Sequence, residues 1–310
     1  MRSKPVASVQ VDTDQGYAHP AYAASLREFG TPCRLPKSGG SMLVRSIPDT
    51  DHADAMGPYP LFVCTDWEQI GNDLEAHQDD WVSATIVVDP FGAPKELLTQ
   101  QEFDEVRSFK SHWLVDLAEP YEDSVSSHHR YYARYAHRNG VKTYRVAEPH
   151  AKLDEWCCLY DHLVERHNIT GLQAFSRQSF EHQFDIPGLV VFFAEYEGEP
   201  VGAHLWYEMG EVAYSHLSAY NDVGYDERAS YALHQAAITH FRSHVQWLNL
   251  GGGAGAPSDD TDGLTKFKKG WASTSQPSLL CGNVLQPSVY NALAATGTDY
   301  FPAYRAGELV

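Results

Sequence analysis

Three consecutive glycines, Gly251, Gly252 and Gly253, follow the short apolar run of Trp247, Leu248 and Leu250 and lead through an acidic stretch into Lys266-Phe267-Lys268-Lys269-Gly270-Trp271. Glycines let backbone N–H groups approach a ligand without obstruction, and the lysines set positive charge beside them. The chemistry these residues suit is acyl transfer, in which a carbonyl oxygen gains negative charge and is steadied by N–H donors and a cation aimed at it. A glycine turn followed by an exposed basic edge would use the same residues without any chemistry.

The elements around this stretch read clearly. Residues 188–196, 201–208 and 211–220 alternate as three strands, broken by Glu197-Gly198-Glu199-Pro200 and Met209-Gly210, which predicts an antiparallel meander. An amphipathic helix from about Arg228 to His244 follows, and then the Trp247 strand. On the third meander strand, period-two alternation sets Tyr214, His216, Ser218 and Tyr220 on one face. Upstream, helical spacing covers Leu153 to His167 and Ser176 to Phe184, and strands are predicted at Ser41 to Ile47, Ala84 to Val88, within Phe103 to Leu117, and at Val141 to Val146. His19 to Phe29 reads as a helix. With 310 residues and 43% hydrophobic content the chain exceeds one compact domain, and a boundary falls near Asn139-Gly140, giving domains 1–140 and 141–310.

Charge is unevenly spread. The chain carries 23 basic and 41 acidic residues, a net charge of -18 that repels polyanions at long range. From His128 to Arg145 there is no acid, and Arg130, Arg134 and Arg138 recur every fourth residue as one stripe of a helix closed by Asn139-Gly140. Tyr131, Tyr132 and Tyr135 are interleaved, which makes the stripe a candidate phosphate or RNA contact; a solvated helix face with cations near its C-terminus is the plainer reading.

Several classes find no support. No apolar run reaches the length of a transmembrane helix and Met1-Arg2-Ser3-Lys4-Pro5 opens no signal peptide, so a cytoplasmic protein without a membrane partner is expected. The five cysteines, with Cys157 and Cys158 adjacent, lack metal spacing and read as buried thiols, and no metal site is expected. Gly-x-Ser-x-Gly is absent, and Gly251-Gly252-Gly253-Ala254-Gly255 enters an acidic loop rather than a helix start as a nucleotide-binding loop would.

The order strand, glycines, acidic loop, Phe-Lys-Lys-Gly-Trp resembles the C-terminal domain of the Fem-type (FemABX) family, GNAT-like transferases that move an amino acid from aminoacyl-tRNA onto an amine. The resemblance is carried by residues 120 to 305, with Phe301-Pro302-Ala303-Tyr304-Arg305 similar to the closing segment of relatives. It implies an α/β fold of two tandem GNAT-like domains, each a mixed, largely antiparallel sheet flanked by helices. It also implies an aminoacyl-tRNA donor, a small peptide-like amine acceptor (a natural-product peptide or a peptidoglycan precursor) and no cofactor. Phe267 and Lys268 match the family's Phe-Lys pair, whose lysine steadies charge on the reacting ester. Gly251, Gly252, Gly253, Tyr214, His216, Tyr220, Lys266, Lys269, Arg130, Arg134 and Arg138 are the substrate-binding candidates, with Lys266 and Lys269 pointing away from Lys268 if the segment is extended. For a general base the choices are Asp259, Asp260, Asp262, His216 and Tyr214, and none is preferred. The alternatives are an acyl-CoA-dependent N-acyltransferase and a non-catalytic peptide- or nucleotide-binding protein. Against CoA, the loop ahead of the helix reads Gly224-Tyr225-Asp226-Glu227-Arg228-Ala229-Ser230, with two carboxylates and without the glycines a diphosphate needs.

Overall fold

A computed structural model describes residues 9, 11–99, 101–253, 262–294 and 298–308. Along the chain run α1 (Pro20–Ser25), β1 (Thr31–Arg34), β2 (Ser41–Ser46), β3 (Ala53–Met56), α2 (Ile70–Glu75), β4 (Trp81–Val88) and β5 (Glu105–Asp116). Next come α3 (Tyr121–Ser124), α4 (Ser127–Arg138), β6 (Lys142–Arg145), α5 (Leu153–His167), α6 (Arg177–Gln183), β7 (Leu189–Tyr196), β8 (Glu199–Met209) and β9 (Val212–Tyr220). The last are α7 (Asp222–Asp226), α8 (Ala229–Phe241), β10 (Trp247–Asn249), α9 (Gly263–Trp271), β11 (Thr274–Val284) and α10 (Pro287–Leu293). The result is an α/β fold with mixed, largely antiparallel strands flanked by helices.

The chain forms two compact units, one of Met1–Gly16, Ser111–Thr170 and Phe184–Gln276, the other of Tyr17–Lys110, Gly171–Gln183 and Pro277–Val310. This division differs from the expected cut at 140. Ala133 and Ala136 of α4 are fully buried in one cluster with Phe192, Trp206, Leu233 and Phe241, so a cut after that helix would strip it from its own core. Residues past Pro277 return to the N-terminal strands, because β11 pairs antiparallel with β4 from Leu279↔Val88 to Val284↔Ser83.

In the unit formed by the N-terminal strands the order is β1-β2-β3-β4-β11, antiparallel except for the parallel pair β3 and β4. Phe62, Trp67, Ile70, Leu74 and Ile86 are buried in its core. In the other unit the order is β5-β10-β9-β8-β7-β6. The meander β7-β8-β9 is antiparallel as its alternation demands, and β10 lies parallel to β9 on one side and antiparallel to β5 on the other.

Two local readings of the sequence are corrected. The pairing of β8 with β9 steps from Leu205↔Leu217 to Trp206↔Ser215, so His216 is an extra residue in a bulge. The bulge ends the shared face: His216 meets Tyr207, whereas Tyr220 packs into the cluster that holds α8. The lysine segment is not extended either. Asp262 Oδ1 accepts the N–H of Thr265 and caps α9, which carries Lys266 through Trp271 as helix. Phe267 and Trp271, four residues apart, therefore share the packed face.

Candidate functional site

The parallel pair β9 and β10 is in register only from Val212↔Trp247 to Tyr214↔Asn249. Beyond it β9 runs on to Tyr220, while Leu250 and Gly251 stay bonded to β5: Leu250 N–H donates to Trp113 O at 2.8 Å, and Trp113 N–H donates to Gly251 O at 3.1 Å. The pairing of β9 with β10 therefore ends at Tyr214 and Asn249. Asn249 Oδ1 fixes this end by accepting the Gly251 N–H at 2.9 Å and the His112 Nδ1–H at 3.0 Å.

Lys268 stands just past the end of β10. Its half-buried ammonium donates to Gly252 O at 2.5 Å and lies 3.4 Å from where a Cβ on Gly251 would be. Gly253 has no room for a side chain, since a Cβ there would fall on Thr265 of α9. Gly251, Gly252, Gly253 and Lys268 are thus brought together. Phe267 is beside them with a packing role, its ring against Tyr231, His234 and Trp271 and its carbonyl accepting from His129 Nε2 at 2.8 Å.

The other candidates are dispersed. Lys266 is exposed, and Lys269 reaches over the Trp113 ring at 4.8 Å. Tyr214, His216 and Tyr220 are buried side chains. Burial pushes the His216 imidazole down to about 3, so it stays neutral and is a poor base at ordinary pH. Asp262 is a helix cap, while Asp259 and Asp260 lie outside the described residues. Of the arginine stripe, Arg130 turns back onto the carbonyls of Glu122 and Val125. Arg134 and Arg138 remain exposed on the helix that carries Tyr131, 48% exposed and stacked with Tyr135.

Sequence reading missed the histidines around Lys268. His204 is fully buried on β8 with Nε2 2.8 Å from Ser215 Oγ, and its ring meets that of His234 on α8 at 4.7 Å. His234 Nδ1–H donates to Ser230 O at 2.9 Å. Burial, then the neighbouring His234 and the Lys268 cation, hold His204 well below its ordinary value. Burial brings His234 to about 3, the Ser230 carbonyl opposing and Lys268 adding to the fall. His129 on α4, pushed to about 4 by burial, donates through Nε2–H to Phe267 O and so accepts at Nδ1 from Ser126 Oγ at 2.8 Å. The only sequence trace of this group is the alternation of His204 and Trp206 along one strand.

Because these imidazoles are held below the ordinary 6.5, the unfolded chain takes up protons before the folded one. Stability is therefore full above about pH 6.5 and falls as pH drops towards 4. Thermal unfolding followed across that window should show a falling midpoint, and a flat profile would mean the rings are charged in the fold.

The profile Acetyltransferase (GNAT) domain matches residues 124–267, from the end of α3 into α9. The chain carries a GNAT-fold acyltransferase domain. The matched span includes β9 and β10, the histidines and Phe267. Among solved structures, FemX is similar at 13% identity over 88% of this chain and 93% of that one, with a TM-score of 0.65. The C-terminal domain (DUF2156) of a putative lysylphosphatidylglycerol synthetase from Agrobacterium fabrum is 16% identical over 90% and 94% of the two chains, with a TM-score of 0.60. L-PGS from Bacillus licheniformis follows at 11% identity over 90% and 95%, with a TM-score of 0.57. At these identities the likeness is one of fold. No curated protein sequence matches the chain. Among the described residues no helix is long and apolar enough to cross a membrane, and no three His, Cys, Asp or Glu residues are grouped to hold a metal.

The start of α8 is where Asp226, Glu227 and Arg228 stand together. Here α7 precedes it, Arg228 adopts a left-handed φ of 62° as the N-cap, and Glu227 Oε2 accepts from Asn139 Nδ2 at 3.3 Å. The Arg228 guanidinium lies 5.4 Å over the Tyr132 ring.

Proposed function

We propose that this chain transfers an acyl group from an activated donor to the amine of a peptide-like acceptor, with the donor carbonyl seated where the pairing of β9 with β10 ends. The observation that carries the reading is the Lys268 ammonium bonded to Gly252, just past the end of the β9–β10 pairing. The amine nitrogen attacks the carbonyl carbon, and the oxygen takes up negative charge facing Lys268 and the backbone N–H groups of β9 beyond Tyr214. Collapse restores the carbonyl and breaks the bond to the leaving group, which takes the proton the amine gives up. The buried, neutral histidines are poor bases; two of them, His129 and His234, pack on Phe267 and so steady the turn of α9 that presents Lys268.

An acyl-CoA thioester is the donor favoured by the acetyltransferase match; at the start of α8 a diphosphate would meet the Arg228 cation, with Asp226 and Glu227, the like charges that count against CoA in the sequence, just ahead of it. Aminoacyl-tRNA is the second reading, favoured by the exposed Arg134, Arg138 and Tyr131 of α4 and by the fold likeness to FemX. Labelled acetyl-CoA and a charged tRNA pool, each offered with an amine-bearing peptide, separate the two. Consumption of acetyl-CoA that resists ribonuclease establishes the first. Transfer abolished by ribonuclease establishes the second, and the pair Arg134→Glu and Arg138→Glu should then flatten its salt dependence because fewer counterions are released. No transfer from either donor would remove the proposal.

A further inference from the structure

Ser215 is the first residue of β9 past Tyr214, where the pairing with β10 ends. The bulge in β9 decides where its side chain goes. His204 stands opposite Ser218 in the ladder of β8 and β9, and Trp206 stands opposite Ser215, so the extra residue, His216, brings Ser215 and Ser218 to one face. Without it the period of two would turn Ser215 to the other face. The shared face is the one packed on α8, since Trp206 lies in the cluster with Leu233 and Phe241 and the His204 ring meets that of His234.

Two observations bring the Ser215 hydroxyl to the candidate site. Its Oγ, on a half-buried residue, is 2.8 Å from Nε2 of the fully buried His204. The Lys268 cation acts on both His204 and His234, so the lysine and the serine have these imidazoles as common neighbours. Lys268 is bonded to Gly252, three residues past Asn249, and Asn249 and Tyr214 are the last pair of the two strands.

A serine on an imidazole has the parts of an activated nucleophile, and the surroundings count against that use. To take the hydroxyl proton His204 would have to become a cation, which burial first, then His234 and Lys268, disfavour. The neutral ring instead holds the serine oxygen. With Nε2–H donating to Ser215 Oγ, the hydroxyl proton is left for the substrate.

We propose that Ser215 is a further catalytic residue of the acyl transfer, its hydroxyl donating a hydrogen bond to the donor carbonyl oxygen as that oxygen gains charge, with His204 as the residue that positions it. The proton stays on Ser215 throughout and no acyl-serine forms. Lys268 and Ser215 then supply one charged and one neutral donor from α9 and β9. This inference rests on the acyl-transfer reading.

The test uses the donor that the wild type consumes, acetyl-CoA or charged tRNA, with the amine-bearing peptide, and compares kcat and KM of Ser215→Ala and Ser215→Thr at a temperature where each is folded. Alanine should lower kcat about tenfold with KM nearly unchanged, a smaller loss than for Lys268 because a neutral donor is worth roughly half a charged one. Threonine keeps the hydroxyl and suits a strand, so it should restore most of the rate. Mass spectrometry of the wild type mixed with donor alone should find Ser215 unmodified. Wild-type kcat in Ser215→Ala, a threonine variant no faster than the alanine one, or an acyl adduct on Ser215 would each overturn the inference and leave the acyl-transfer reading standing. No transfer by the wild type from either donor removes that reading, and the inference with it.

Discussion

Replacing Lys268 by methionine should cut turnover about tenfold to a thousandfold, the range for losing one donor aimed at a developing oxyanion. Methionine keeps much of the length and apolar stem, so the helix face is preserved and only the cation goes. The ammonium is bonded to Gly252 O in a half-buried setting, and losing that contact costs about 1 kcal/mol of stability, too little to unfold the chain. The melting midpoint should move by a few degrees while activity falls by orders of magnitude. His204 and His234 serve as internal reporters, because Lys268 adds to the depression of both. Their protonation, followed by NMR, should rise slightly in pH and remain low, since burial is the larger cause. Wild-type turnover in a folded Lys268→Met protein would remove the lysine from the chemistry.

How much of this was readable beforehand depended on whether the deciding force was local. The meander, α4 with its Asn139-Gly140 end and α5 all announced themselves, because periodicity of 2 or 3.6 residues records which face is buried. Lys268 and the glycines were also legible, since a glycine run beside lysines is unusual at the level of residue type. The bulge at His216 was not, because one inserted residue leaves the alternating pattern intact on each side and only the partner strand shows the slip. Nor was α9, whose helical state is set by the Asp262 cap and by Phe267 and Trp271 packing on α4 and α8, not by a long amphipathic repeat. The return of β11 to β4 and the meeting of His204 with His234 join residues far apart in the chain, and no spacing rule encodes them.

The same packing gives Gly270 a role that its place in Lys-Lys-Gly-Trp conceals, and Gly270→Ala should destabilise the protein by about 2–4 kcal/mol. In an open helix alanine would stabilise by about 1 kcal/mol relative to glycine, so the sign itself is diagnostic. A Cβ on Gly270 would fall on the His129 ring. That ring cannot step aside cheaply: Nε2 donates to Phe267 O at 2.8 Å and Nδ1 accepts from Ser126 Oγ at 2.8 Å. Ser126 N–H in turn donates to Gly270 O at 2.9 Å, so displacing the helix breaks the join from the α4 side as well. Overpacking of this kind costs about 1–3 kcal/mol, and each lost hydrogen bond adds about 1. Gly263→Ala is the matched control, since it lies on the same helix with nothing within 4 Å of the new Cβ, and it should leave the midpoint unchanged or slightly raised. If the clash is the cause, His129→Ala should make room and the double variant should lose less than the sum of the two single losses, which thermal unfolding of the four proteins would measure. Additive losses would place the effect elsewhere. Because Phe267, held by His129, sets the turn from which Lys268 reaches Gly252, turnover in Gly270→Ala should fall even at temperatures where the variant is fully folded.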